Sequence, residues 1–105
     1  MSEAGMGILV AFRVKSKLRP RERTRLFRQL YGYVDRSQYG QYRYERGGLL
    51  SRIPHVRLIR GAMILREQDL RAVQEFLSPR AEVQMRRVYL THEDRAQLGS
   101  KKDRA

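Results

Sequence analysis

The segment from Met6 to Lys15, MGILVAFRVK, constrains the fold more than any other. Ile8, Val10, Phe12 and Val14 fall on one alternation, Leu9 and Ala11 on the other, with Arg13 a late charge. Successive side chains of a strand point to opposite faces, so apolar residues on both mark a central strand with its second face covered or shallow. Such a strand needs neighbours on either side and a covering layer, and the remainder of the chain must supply them.

The pattern downstream supplies them in turn. Pro20 suits a first helical turn, and Leu26, Phe27, Leu30, Tyr31 and Val34 follow at helical spacing, with Gly32 weakening the end. Asp35 to Gly40 reads as a turn or exposed loop, and Gln41 to Arg46 as a strand with Tyr42 and Tyr44 on one face. Gly47-Gly48 reads as a hairpin turn or bulge, and Leu49 to Ile53 as a continuation of that strand until Pro54 interrupts it. Val56 to Glu67 reads as one further strand with a bulge at Gly61, joined through a Pro54-His55 turn. Glu67 to Leu77 has the spacing of a second helix, with Asp69 a candidate cap and Ser78-Pro79 its end. Glu82 to Leu90 forms the last strand. Its apolar residues change alternation between Val83/Met85 and Val88/Leu90, which suggests a bulge at Arg86-Arg87 or one exposed side. Thr91 to Asp94 has the form of a capping box opening a short helix to about Leu98. The expected organisation is a loose start over 1–5, one domain over 6–98 and a disordered basic tail over 99–105.

The charge bears on function. The chain carries a net +12 with a pI near 11.0. Residues 1–60 hold fourteen Lys/Arg against four Asp/Glu, whereas 61–105 hold nine against seven. A basic excess concentrated in one half of a chain is the footprint of a polyanion-binding protein. The first helix carries Arg19, Arg21, Arg23, Arg25 and Arg28 on its N-terminal turn and polar side. Cations there oppose the macrodipole, and a bound phosphate reverses that penalty. Arg13, Lys15 and Lys17 lie just upstream as further phosphate contacts.

The stretch Arg36 to Gly48, RSQYGQYRYERGG, interleaves Tyr39, Tyr42 and Tyr44 with Arg36, Arg43 and Arg46. Tyrosine rings stack on nucleobases, and guanidinium groups pair with phosphates or stack. An ordinary exposed strand has a similar composition, and the surrounding charge is what favours nucleic acid. RNA is preferred over DNA because exposed tyrosines suit unpaired bases and no major-groove reading helix is evident. The alternative is a subunit of a ribonucleoprotein or other complex that docks its basic face on an acidic partner. Pairing of two copies through a sheet edge is compatible with either.

Strand, helix, strand, strand, helix, strand is the α+β, ferredoxin-like βαββαβ order, a four-stranded antiparallel sheet with two helices on one face. In this it resembles two nucleic-acid-binding groups. Arg60 to Leu65, RGAMIL, is similar to the start of the longer signature of the RNA-recognition-motif family, although that signature's aromatics are missing and it is not met. The Cas2-like group usually has an aspartate at the end of the first strand, where this chain has Arg13 and Lys15; its metal-dependent nuclease chemistry is the less favoured alternative. In overall style the chain also resembles small arginine-rich proteins of heat-loving archaea, which implies a thermophile's cytoplasmic RNA- or DNA-associated protein.

Little points to catalysis. There is no cysteine, no P-loop and no GxGxxG. The histidines are His55, beside Pro54, and His92, adjacent to Glu93 and Asp94. A metal site needs three convergent ligands, and adjacent residues on a helix do not converge. Glu45, Glu67 and Asp69 are the acids that convergence in space might bring together. The expectation is a non-enzymatic protein with no cofactor and no metal. No apolar run approaches the roughly 18 residues of a membrane span, and the start lacks a signal peptide's positive flank, so a cytoplasmic location away from membranes is expected.

Overall fold

A computed structural model describes residues 5–37 and 40–100. Among the described residues, six strands and three helices follow the order β1 (Met6–Val14), α1 (Pro20–Tyr31), β2 (Tyr33–Ser37), β3 (Tyr42–Arg46), β4 (His55–Ile59), β5 (Ala62–Leu65), α2 (Leu70–Leu77), β6 (Ala81–Tyr89) and α3 (His92–Ser100). Short 3-10 turns occupy Leu49–Arg52 and Glu67–Asp69. Four strands form an antiparallel sheet in the order β4-β5-β1-β6, and β2 and β3 form a separate two-stranded sheet. The fold is α+β, but the expected βαββαβ order is not matched as it stands, because six strands and a second sheet are present.

β1 is central, as its two-sided apolar pattern requires. On one face Ile8 and Val10 pack with Met63 and Leu65 beneath Leu26 and Leu30 of α1 and Val73 and Leu77 of α2. On the other, Leu9 joins Val56, Ile64, Val88 and Leu90 beneath Leu98 of α3. This second cluster resolves the change of alternation in β6. The β1–β6 register runs unbroken from Met6↔Tyr89 to Val14↔Ala81, so Arg86-Arg87 holds no bulge. Val83 and Met85 instead face the α1/α2 layer, while Val88 and Leu90 face α3. The irregularity of the sheet lies in β4, between Arg57 and Ile59.

Several boundaries differ from expectation. α1 stops at Tyr31, because Gly32 adopts φ +84 and donates its N–H to the Arg28 carbonyl. Val34 therefore lies in β2, not in the helix, and Asp35 to Ser37 is strand rather than turn. Leu49–Arg52 is a 3-10 turn rather than strand. Val56 to Glu67 is two strands, with Arg60-Gly61 as the turn between them rather than a bulge. The second helix begins at Leu70. Asp69 makes no cap hydrogen bond; its carboxylate accepts from Arg66 Nε at 2.7 Å. Thr91 and Asp94 do form the expected reciprocal cap, each backbone N–H bonded to the other's side chain at 3.0 Å. Gly99 and Ser100 belong to α3 rather than to a disordered tail; the remainder of that tail and residues 1–4 lie outside the described residues.

Candidate nucleic-acid interface

The β2–β3 hairpin leaves the body of the protein through a glycine neck. A Cβ on Gly32 would come 2.5 Å from the Arg46 carbonyl, and one on Gly48 would come 2.4 Å from the Gly32 nitrogen and 2.6 Å from the Leu30 carbonyl. Such backbone-to-backbone approach, with Gly32 in the left-handed region, admits only glycine. Gly47-Gly48 is therefore neither hairpin turn nor bulge but the exit of the arm. Beyond the neck no residue of β3 is buried, and in β2 only Asp35 is even partly so.

Register assigns the arm's side chains to faces. Tyr33↔Arg46, Asp35↔Tyr44 and Ser37↔Tyr42 share one face; Val34↔Glu45 and Arg36↔Arg43 share the other. On the first, the Tyr42 and Tyr44 rings are stacked at 16° with centroids 6.5 Å apart, each about half exposed. Arg46 lies 5.6 Å from the Tyr44 ring and 3.3 Å from the Asp35 carboxylate. Tyr39 lies outside the described residues.

This tyrosine face runs onto α1. The Arg28 guanidinium sits over the Tyr33 ring at 4.6 Å. Between the outer side of α1 and the base of the arm lies a cleft of about 660 Å³, lined by Arg21, Thr24, Arg25, Arg28, Gln29, Tyr33, Arg46 and Gly47. Four arginines face it and, among the described residues, no carboxylate lines it. A smaller hollow of about 400 Å³ lies between the start of β1 and α3. Its arginines are engaged internally: Arg66 with Asp69, Arg87 with Glu67, and Arg95 with the Leu90 carbonyl. In the cleft beside the arm, among the described residues, only Arg46 meets a carboxylate, that of Asp35, which makes this cleft the better candidate for an anion.

The basic residues expected to touch phosphate thus divide into groups. Arg21, Arg25 and Arg28 line the cleft. Arg36 and Arg43 lie on the arm's opposite face. Arg13 is across the sheet, paired with Glu82 at 2.6 Å. Arg23 folds back to donate to the Leu18, Lys15 and Ser16 carbonyls, closing the loop before α1. Lys15 is tied through its N–H to the Arg80 carbonyl, and Lys17 is exposed in the same loop. Arg19 precedes α1, and its backbone N–H donates to the Glu22 carboxylate at 2.8 Å. An acid therefore already lies at the helix N-terminus, and the cleft forms on the helix flank.

A second cationic patch went unread in the sequence. Arg57 lies 4.0 Å from the Tyr31 ring and Arg60 3.8 Å from the Phe27 ring, and Phe12, Phe27 and Tyr31 form a ladder of rings. The Tyr31 hydroxyl donates to the Arg60 carbonyl. Burial raises the pKa of this hydroxyl, although the Arg57 and Arg60 charges work in the opposite direction. Spacing gave no sign of this patch, since its arginines come from β4 and its turn and its rings from α1 and β1. Tyr33 gives no sign of its role either, because the helical spacing of Leu30 and Val34 runs through it.

The candidate acids do not converge: Glu67 pairs with Arg87, Asp69 with Arg66, and Glu45 is on the arm. His55 Nδ1 is 2.8 Å from the Ile53 carbonyl. Among the described residues no three His, Asp or Glu side chains are grouped to hold a metal ion, and no helix is long and apolar enough to cross a membrane. No family model matches the chain, and neither a curated protein nor a solved structure matches it.

Proposed function

We propose that this chain is a non-enzymatic, cytoplasmic nucleic-acid-binding protein, with RNA favoured over DNA. The supporting observation is the continuity of the tyrosine face with the arginine cleft through the Arg28–Tyr33 stack. Phosphates enter the cleft, where Arg21, Arg25 and Arg28 have no carboxylate lining beside them. Unpaired bases then lie along Tyr33, Tyr44 and Tyr42, with Arg46 against the adjoining backbone. Each stacked base contributes roughly 1–3 kcal/mol. In this reading the four-stranded sheet with α1 and α2 is a ferredoxin-like core that carries the β2–β3 arm as an insertion between α1 and β4.

Fluorescence anisotropy with matched single- and double-stranded RNA and DNA tests the proposal. Single-stranded RNA binds most tightly, and Y42A/Y44A weakens it roughly tenfold or more, in line with the loss of one stacked base. Equal affinity of the variant and the parent for single strands contradicts the stacking role. The alternative, a ribonucleoprotein subunit docking on an acidic protein, is supported if partners captured by the chain survive nuclease digestion and are lost with R21A/R25A/R28A.

A further inference from the structure

The arm is equipped on both faces, and this narrows the class of ligand. Its strands are five residues long, about 17 Å at the rise of an extended chain. A two-stranded ribbon of this kind is thin enough for a ligand to touch both sides. One face carries the tyrosines. On the other, Arg36 and Arg43 stand directly opposite each other, and both are exposed. Like charges at directly opposed positions destabilise a strand pair. Glu45 shares that face, yet among the described residues neither arginine forms an ion pair with it or with any other acid. A marginal two-stranded sheet thus carries a repulsion that no described side chain compensates.

We infer, building on the function proposed above, that the ligand is a stem–loop RNA, held where paired stem meets unpaired loop. A single strand lying on the tyrosines keeps its backbone on that face, opposite to Arg36 and Arg43. A smooth duplex offers phosphates to both faces but no free bases to the rings. A junction offers both together. The unpaired loop stacks on Tyr42 and Tyr44 and runs toward the α1 cleft, while phosphates of the stem relieve the Arg36–Arg43 repulsion.

Anisotropy with three RNAs decides the matter: a stem–loop, its loop sequence as a linear strand, and its stem as a blunt duplex. The parent protein binds the stem–loop about tenfold more tightly than the linear strand, and the duplex most weakly. R36T/R43T, which replaces two exposed arginines by strand-favouring threonine, abolishes that preference by weakening the stem–loop more than the linear strand, as expected when stem phosphate contacts are lost. It melts at the same temperature as the parent or higher, because the repulsion is gone. Y42A/Y44A weakens the stem–loop and the linear strand alike. Equal binding of stem–loop and strand by the parent, or an undiminished preference in R36T/R43T, overturns the inference and leaves the proposed function standing. Failure of the parent to bind any of the three RNAs overturns both.

Discussion

The body of the protein and the arm both set arginines beside aromatic rings, but on different supports. In the body of the protein the guanidinium covers a ring that already packs against the core: Arg60 on Phe27, Arg57 on Tyr31 and Arg80 on Phe76. There the cation completes a core whose leucines and valines, such as Leu26, Leu30 and Val73, are fully buried. In the arm Tyr42 and Tyr44 stack on each other over no core, and Arg36 and Arg43 oppose each other. An exposed two-stranded ribbon has little stability of its own. Its position comes from the glycine neck and the Arg28–Tyr33 stack. Under the proposed function, stability and recognition are separated in space, so each can be altered without the other.

The strongest disturbance of that separation is in the shared core. Leu30→Ala removes a fully buried side chain of α1 and costs about 2–5 kcal/mol, measured by urea unfolding; arm and sheet are lost in one transition. Gly32→Ala strikes the boundary. Its new Cβ would meet the Arg46 carbonyl at 2.5 Å with φ at +84, a strain of about 1–3 kcal/mol. Hydrogen exchange then rises in β2 and β3 first, with the β1–β6 ladder retained. Y42A/Y44A sharpens the comparison from the other side: both are exposed, so global stability stays within about 0.5 kcal/mol while RNA affinity falls. Glu22→Ala removes the acceptor of the Arg19 N–H and costs about 0.3–1.5 kcal/mol, read as a lower melting temperature with binding unchanged.

The smallest effect is alkaline. Tyr31 has its pKa raised above the ordinary 10.0, burial being the leading cause. Above pH 10 the unfolded chain loses that proton more readily than the folded one, so stability is full below about pH 10 and falls as pH rises through the raised value. Tyr31→Phe, which also lacks the hydrogen bond to the Arg60 carbonyl, shows a shallower decline of melting temperature between pH 9 and 11 than the parent.

What could be read in the sequence followed the same division. β1, the start of α1 at Pro20, the residues of α2 and the Thr91–Asp94 cap are local signals with strong periodicity, and they hold in the structure. Tyr42 and Tyr44 do share a strand face as their spacing required. β2 gives no such signal because a largely exposed strand has no apolar face to set a period, and because Val34 falls four residues after Leu30 and so extends the helical pattern. The slip in β6 was apparent only, since it reflects α3 covering the far face near Val88, a layer that β6 itself does not encode. The division of the arginines was equally hidden. Arg23 and Arg21 are two residues apart, yet one closes a loop and the other faces the cleft, and helical rotation together with loop path decides between them.

The continuity of the cleft with the arm is tested most directly by salt dependence. The slope of log affinity against log salt on one single-stranded RNA is measured for the parent, R21A/R25A/R28A and Y42A/Y44A. At about 0.7 per phosphate contact on a single strand, the arginine variant flattens the slope by about 2, whereas the tyrosine variant lowers affinity at every salt concentration and keeps the slope. An unchanged slope in R21A/R25A/R28A contradicts the account.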